Sequence, residues 1–325
     1  MIANAIVLTV FFRQGFKDGV NISLTSMVMW DLLKCVCIII NRMERPISLI
    51  SPSFSESWFS VTVIYTEFFF IISCHVTYVL ASYVSVERCL YVSIPFKVRS
   101  IFTPTFTLEV VSVISGLVFG SHLVVLFLFR VVYVTSLKYN VTLTDTTYTV
   151  FYELHGKTVM TFYNTLGTTL PLVSFVVLCL ASLITMYQLK QASSKITRHT
   201  GNPVNAASKN HEAKHPTSLQ VRSHNYSNGM SQKEKKVNKM LLVVMFVYIA
   251  ILFPRLLYYM ASLIQPEYGL FKKYHTLFTM SSKVLFVFDV VNAATNIFIF
   301  FKMSSNFRAG MSQNFSCARC MHREI

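Results

Sequence analysis

The chain has 325 residues, of which 53% are hydrophobic and only 13% are charged. A soluble domain carries about 25% charged residues, so this composition excludes a water-soluble globular protein and indicates a polytopic membrane protein. The formal net charge of +15 does not indicate a nucleic-acid partner, because most of the cations lie between apolar stretches rather than on one face.

Six apolar stretches each approach or exceed the roughly 20 residues that a helix needs to cross a bilayer. Their length and their lack of strict alternation favour helices over a β-barrel. In chain order, they cover residues 22–40, 59–86, 106–129, 162–189, 240–264 and 276–301.

A seventh apolar stretch opens the chain and ends at Arg13, which makes it too short to cross a membrane. We interpret it as the inner half of a first helix whose outer half is missing; a short re-entrant segment is the alternative. The sequence therefore predicts an all-α membrane protein, a seven-transmembrane-helix bundle whose first helix is truncated at its outer end. We expect the transmembrane domain to occupy residues 1–312 and a cytoplasmic tail to occupy residues 313–325.

Basic residues collect in alternate loops, whereas the other loops hold fewer cations and more acids. This distribution places the start of the chain outside and its end in the cytoplasm. The longest polar segment, 190–239, is poor in apolar residues, so we expect a disordered third cytoplasmic loop flanked by helix extensions. Its excess of Lys and Arg would attract anionic membrane lipid.

Polar and charged residues inside the apolar stretches are candidates for function, because charges within a membrane are costly and usually mark a functional site. No metal-ligand spacing, phosphate-binding loop or catalytic triad occurs in the sequence, so we expect no enzyme activity, no cofactor and no metal. The candidates are Asp31 in the second helix, Glu87 and Arg88 at the end of the third, Glu234 at the start of the sixth, and Asn292 and Asn296 in the seventh.

Taken in order, these residues resemble the motifs of the rhodopsin-like G-protein-coupled receptors along the whole chain. "VERCLYVSIPF" is similar to the Asp-Arg-Tyr box, with Glu87 for Asp and Cys89 for Tyr. "NAATNIFIF" is similar to Asn-Ser-x-x-Asn-Pro-x-x-Tyr, with Ile297 for Pro and Phe300 for Tyr. Further matches are Asn4 in the first helix, Asp31 at the sodium-site position, Pro95 in the second inner loop, Pro171 and Pro254 at the kinks of the fifth and sixth helices, and Phe307 in a short amphipathic eighth helix.

The resemblance implies a receptor that binds an extracellular ligand and activates a heterotrimeric G protein. Arg88 would pair with Glu87 and, across to the sixth helix, with Glu234. Breaking the second pair would let the sixth helix swing about Pro254 and open the cytoplasmic face. The alternative is that Glu87 and Arg88 are an interfacial anchor pair.

The outer half departs from the family pattern. The cysteine that ties the third helix to the second outer loop is replaced by Val63, and residues 130–165 contain no cysteine. The loop must therefore be held in another way. The likeness is to divergent invertebrate chemosensory or neuropeptide receptors, and the missing disulfide narrowly favours a small chemosensory molecule over a peptide.

Charged and aromatic residues of the outer half form the predicted ligand pocket. Phe70 stands where amine receptors carry Asp, which disfavours a biogenic amine. We expect Lys34 to pair with Asp289, and Arg255 either to bind a ligand carboxylate or phosphate or to form a structural salt bridge with Glu67. The predicted pocket residues are Lys34, Glu67, Phe70, Cys74, Arg255 and Asp289.

Two modifications are predicted. Asn140 begins an Asn-Val-Thr acceptor for glycosylation in an outer loop, and Cys317 and Cys320 in the tail are palmitoylation candidates. Two other functions stay open: a secondary transporter, although the sequence has no internal repeat, and a non-signalling protein with the receptor fold.

Overall fold

The computed structural model describes residues 1–16, 19–94, 98, 100–200, 232–265, 267–268, 273–303 and 307–312, with backbone only at 192–200, 232–237 and 303. The α-helices among these residues include α1 (Ile2–Gln14), α2 (Gly19–Arg42), α3 (Glu44–Ile50), α4 (Pro52–Ser93), α5 (Pro104–Leu123), α6 (Val150–Thr200), α7 (Gln232–Ile264) and α8 (His275–Met303). A 3₁₀ helix (Val124–Leu128) and two strands, β1 (Phe129–Ser136) and β2 (Val141–Tyr148), lie between α5 and α6.

Six helical segments are long and apolar enough to cross a membrane, so the prediction of a multi-pass, helical membrane protein is confirmed. They are Gly19–Ile50, Pro52–Ser93, Pro104–Leu128, Val150–Gln191, Asn238–Ile264 and His275–Lys302. α1 is apolar but has only 13 residues. It packs against α2 and α8.

Several helices are longer than the apolar stretches that predict them. α4 has 42 residues and begins at Pro52, well before the apolar stretch that starts at residue 59. The Ser51 side chain accepts a hydrogen bond from the Phe54 N–H, and Pro52 is the first helical residue; both features favour a helix start. α6 continues to Thr200 and α7 begins at Gln232, so helix extends into both ends of the polar segment.

The long helix α4 lies at the centre of the bundle. It contacts α2, α5, α6 and α7, and Ile72, Tyr78 and Leu80 on it have 1% or less of their surface exposed. A helix surrounded in this way positions side chains toward several neighbours at once. Four candidate site residues of α4 are buried against other helices, namely Phe70, Cys74, Glu87 and Arg88, whereas Glu67 is exposed.

Residues 307–312 are helical and are anchored by an aromatic cluster. The buried Phe307 ring lies 6.0 Å from the Phe11 ring and 6.0 Å from the Phe300 ring. Phe11 and Phe300 also meet edge to face at 5.3 Å. The cluster joins α1, the end of α8 and the following residues.

An antiparallel β-hairpin, which the sequence analysis did not predict, forms the segment after α5. β1 and β2 pair from Phe129↔Tyr148 to Ser136↔Val141. The connection ends at Asn140, whose φ of 51° is left-handed, a conformation that Asn adopts more readily than most residues.

Hydrogen bonds dock the hairpin on the first turns of α4. The Thr144 N–H donates to Ser57 Oγ at 3.0 Å, and the Thr146 hydroxyl donates to the Ser60 carbonyl at 3.1 Å. The Ser60 hydroxyl also donates to the Asp145 carboxylate. These contacts hold the loop by means other than the missing disulfide.

Candidate functional site

A buried ion pair lies on α2. The Lys34 ammonium is 2.5 Å from Asp31 Oδ1, and the two residues are one helical turn apart. The Asn296 amide of α8 donates to Asp31 Oδ2 at 2.8 Å. Both charged residues have 1% or less of their surface exposed. This cluster therefore links α2 to α8 through a carboxylate that is already balanced by a cation.

A second buried ion pair joins three helices. Arg255 of α7 donates through Nη2 to Asp289 Oδ2 of α8. The Tyr78 hydroxyl of α4 donates to the other carboxylate oxygen at 2.9 Å. The Arg255 guanidinium also lies 5.8 Å from the centre of the Tyr78 ring, within cation–π range.

Two predicted pairings are wrong. Lys34 pairs with Asp31 rather than with Asp289, and Arg255 pairs with Asp289 rather than with Glu67. The reason for the first is local: residues three apart on a helix share a face, so Asp31 is closer to Lys34 than any residue of α8. The second follows, because Asp289 is then left to neutralise Arg255.

The thiol of Cys74 lies between the two clusters, close enough to interact with the charges of both, and its side chain is buried. Nearby, Asn4 of α1 is buried and its amide points to Cys35 of α2 at 3.9 Å. Asn292 is also buried. Buried polar side chains thus occur on α1, α2, α4 and α8. The sodium-site role of Asp31 stays a prediction, since any sodium ion would compete there with Lys34.

The far end of α4 carries the Glu87–Arg88 pair. Arg88 Nη2 donates to Glu87 Oε1 at 2.7 Å, and the side chains are only 6% and 0% exposed. The guanidinium lies 4.6 Å from the centre of the Tyr91 ring. An interfacial anchor pair extends its charges toward water, so this burial argues against the anchor alternative. The side chain of Glu234 lies outside the described residues, and its pairing with Arg88 stays a prediction.

A small cavity lies between α2, α4 and α8. It has room for about one water molecule, and its lining residues are Cys37, Ile38, Asn41, Thr66, Glu67, Phe70 and Phe286. Glu67 and Phe70 are the predicted pocket residues found there. Lys34, Cys74, Arg255 and Asp289 do not line it; they lie in the buried clusters.

Arg42 is a site residue that the sequence analysis missed. Its guanidinium lies 5.2 Å from the centre of the Phe286 ring, and it interacts electrostatically with Glu67. It is the last residue of α2, and a basic residue at the end of a transmembrane helix is common and does not by itself indicate a site. Only the three-dimensional structure places it beside a cavity.

His75 and His122 are bonded to each other, His75 Nδ1 to His122 Nε2 at 2.9 Å. His122 Nδ1 lies 2.8 Å from the Val118 carbonyl and must donate to it, because a carbonyl only accepts. His122 Nε2 therefore accepts from His75 Nδ1 when both rings are neutral. Both histidines are buried and hydrogen-bonded within the helix bundle.

Two groups at the hairpin have shifted pKa values. Hydrogen bonds from the Ser60 hydroxyl and the Thr146 N–H lower the pKa of Asp145. Hydrogen bonds with Tyr139 and Glu56 raise the pKa of Lys138. Both shifts favour the charged forms, so the docked hairpin presents an ionised carboxylate and an ionised ammonium.

Comparison with known proteins does not identify a family. A scan against models of protein families finds no match, and a search of curated proteins finds no relative. A function for the chain therefore has to be argued from its own residues. The tail cysteines Cys317 and Cys320 and the loop residue Pro95 lie outside the described residues.

Proposed function

We propose that the chain is a rhodopsin-like G-protein-coupled receptor of the plasma membrane. In this proposal its N-terminus is outside, its C-terminus is cytoplasmic, and an extracellular ligand activates a heterotrimeric G protein. The proposed architecture is seven transmembrane helices, with α1 as the first and residues 307–312 as the start of the amphipathic eighth helix.

The observation that carries the proposal is the placement of a cavity and a buried ion pair on one helix. Glu67 and Phe70 line the cavity, and Glu87 and Arg88 form the ion pair. Along a helix that rises 1.5 Å per residue, Glu67 and Arg88 are separated by about 31 Å. This is close to the roughly 30 Å thickness of the hydrocarbon core. Transmembrane signalling requires a ligand site near one face of the membrane and a charge switch near the other, and this spacing on α4 supports both.

The proposed switch works through Arg88. In the resting state it pairs with Glu87 and with Glu234 of α7. Agonist binding shifts the population toward a state in which the second pair is broken and the cytoplasmic end of α7 moves outward about Pro254, which lies inside the continuous helix. The exposed guanidinium and the gap then receive the G protein. Asn296 and Phe300 on α8 are the other proposed switch residues.

The docked hairpin changes the balance between ligand classes. The sequence favoured a small chemosensory molecule because the outer loop lacks a disulfide. Hydrogen bonds to Ser57 and Ser60 support that loop instead, so a peptide is no longer disfavoured on this ground. Both ligand classes stay within the proposal.

Nucleotide exchange on a panel of heterotrimeric G proteins tests the proposal, in membranes containing the wild-type chain or Glu234→Gln. We expect Glu234→Gln to raise basal exchange, because the neutral amide weakens the hold on Arg88. Adding Arg88→Ala should abolish it. The matched control is Glu56→Gln, the same substitution on an exposed residue of α4, which should leave exchange unchanged.

Absence of exchange from all of these chains, each correctly inserted and purified at equal yield, would refute the receptor proposal. A secondary transporter would then move ahead, because two ion pairs buried within apolar helices are also typical of ion-coupled transport. Saturable uptake of a solute into proteoliposomes by the wild-type chain would support it. Neither exchange nor uptake would leave a non-signalling protein with the receptor fold.

A further inference from the structure

The outer edge of β1 is unpaired. β1 and β2 form a two-stranded sheet, and β2 packs on α4, where the Thr144 N–H donates to Ser57 Oγ at 3.0 Å. Among the residues that the structure describes, β1 therefore has a strand on one side and no strand on the other. Such an edge presents a row of N–H and C=O groups with which another extended chain can pair.

The hydrogen-bonding pattern indicates which residues of β1 face that edge. In an antiparallel pair, opposite residues alternate between those that bond to each other and those whose backbone groups point away. The N–H groups of Thr144 and Thr146 leave the ladder, since both donate to side-chain oxygens. Their partners in the register are Tyr133 and Val131. The N–H and C=O groups of Val131 and Tyr133 therefore point to the outer edge, and Thr135 continues the row.

This edge lacks the features with which proteins usually prevent the addition of a strand, namely proline, lysine, a bulge or a very short strand. β1 has eight residues, and none of them is Pro or Lys. Its register with β2 is unbroken. Val131 and Tyr133 are 42% and 78% exposed, so the strand is apolar as well as open. Arg130 is exposed, and no ion pair involves it within the described part of the chain.

The direction of the hairpin disfavours a second copy of the chain as the occupant of the edge. Tyr139 contacts Glu56 and Thr146 contacts Ser60, so β2 runs in the same direction as α4 and β1 runs in the opposite direction. Because α4 is a spanning helix, two copies inserted alike present their β1 strands in the same direction. Identical strand edges that pair about a two-fold axis are antiparallel, which would require one copy to be inverted.

We propose that the outer edge of β1 binds an extended peptide segment as a third, antiparallel strand. Main-chain hydrogen bonds to Val131, Tyr133 and Thr135 would provide the affinity, and alternate side chains would provide the specificity. β-Branched or aromatic residues of the peptide would pack beside Val131 and Tyr133, and an acidic residue would lie opposite Arg130. The inference selects a peptide as the ligand class of the receptor proposed above, and it rests on that proposal for the position of the hairpin outside the cell.

Binding of a fluorescent peptide to the purified full chain in lipid nanodiscs, followed by anisotropy, tests the inference without any G protein. The probe is Thr-Ile-Tyr-Ile-Thr-Glu-Thr, labelled at its N-terminus and amidated at its C-terminus. Paired antiparallel with residues 129–135, it places its Glu opposite Arg130. We expect saturable binding to the wild-type chain.

Methylated probes test whether the main chain carries the binding. Methyl groups on the amide nitrogens of the third and fifth probe residues remove N–H groups that point at β1. This change should weaken binding roughly 10- to 100-fold, as expected for the loss of two hydrogen bonds. Methyl groups on the second and fourth residues lie on amides that point away, and should leave the affinity unchanged. Both probes are measured on the wild-type chain, so the comparison does not depend on whether a variant folds.

Variants of the chain test the same edge from the other side. Val131→Pro removes an N–H that points outward and no bond to β2, which an edge strand tolerates, and it should abolish binding. The matched control Val131→Thr keeps that N–H and should bind as the wild type does. Arg130→Glu should weaken binding by up to about fivefold, as expected for an exposed ion pair. A probe with Lys in place of Glu should recover the loss.

The inference is wrong if the wild-type chain does not bind the probe, or if the two methylated probes bind equally well. Disulfide cross-linking between Tyr133→Cys chains in proteoliposomes, with no binding of the probe, would assign the edge to a second copy instead. The receptor proposal can fail separately. Binding that is sensitive to alternate methylation, without nucleotide exchange from any chain, would support the peptide site and refute the receptor function. Exchange that responds to Glu234→Gln, from a chain that binds no probe, would support the receptor and overturn the peptide site.

Discussion

Replacing Asp289 by Asn should destabilise the protein strongly, because this carboxylate joins α4, α7 and α8. It accepts from Arg255 and from the Tyr78 hydroxyl, and Asp289 and Arg255 are only 2% and 8% exposed. The substitution leaves a buried guanidinium without a counter-charge. Removing one partner of a buried ion pair costs about 3–5 kcal/mol, and we expect the free energy of unfolding to fall by this amount.

The expected destabilisation has an internal check. Tyr78→Phe removes one hydrogen bond to a charged group and should cost about 1.5–3 kcal/mol. The double replacement Arg255→Met with Asp289→Leu removes both charges and fills similar volumes. It should recover most of the loss, because a buried pair replaced by apolar residues is often neutral in stability.

The measurement is equilibrium unfolding in mixed micelles, followed by circular dichroism, with all variants in the same lipid and detergent. Lys138→Met, at an ion pair whose side chains are 68% and 49% exposed, is the control and should unfold with the wild type. A double variant as unstable as Asp289→Asn would refute the reasoning, since the loss would then not come from an unpaired charge.

Three further predictions concern other parts of the molecule. Gly19→Ala should destabilise the protein by about 1–3 kcal/mol, because a Cβ there would lie 2.8 Å from Thr107 Oγ1. The control Gly116→Ala on α5 adds a Cβ that meets nothing within 4 Å and should leave the stability unchanged. Equal melting temperatures of the two variants would contradict this reasoning. Asn140 is exposed at the hairpin tip, so expression in animal cells should yield a glycosidase-sensitive form that Asn140→Gln lacks; a band shift that survives this change would place the glycan elsewhere. Because the pKa of Asp145 is lowered by its hydrogen bonds, docking of the hairpin should be complete above the ordinary Asp pKa of about 4 and weaken as pH falls below it. The fluorescence of Trp58, which neighbours Ser57, should change over that range, and Asp145→Asn should abolish the change; an unaltered titration in that variant would exclude Asp145 as its origin.

The spanning helices could be predicted because their signal is local. A run of about 20 apolar residues is sufficient to indicate a bilayer crossing, and no knowledge of neighbours is needed. The true ends were harder to predict. Residues 52–58 are polar enough to lie outside the apolar stretch, yet the cap at Ser51 and Pro52 starts the helix there.

The contacts within the site depended on which helices are neighbours. The sequence offers several acids as possible partners of Lys34. It pairs with Asp31 because the two residues are one turn apart on α2. That i,i+3 spacing is visible in the sequence. The approach of Arg42 to Phe286 joins the end of one helix to another more than 200 positions later, and no spacing rule contains it.

The β-hairpin had a readable signal as well. "RVVYVTS" and "VTLTDTTY" are rich in β-branched residues, which favour strands, and they flank a short polar connection. The first of them directly follows an apolar stretch, so on the sequence alone its residues fit the end of a helix as well as a strand.

The hydrogen-bonded hairpin makes its end of the helix bundle independent of thiol chemistry. The described cysteines, Cys35, Cys37, Cys74, Cys89 and Cys179, are all unpaired thiols, and the docking contacts use hydroxyls, amides and carboxylates. Hydrogen bonds of this kind form equally well under reducing and oxidising conditions. The docked hairpin should therefore form in a reducing cell-free translation with nanodiscs, without an oxidising compartment or a disulfide isomerase. It should also persist in millimolar dithiothreitol.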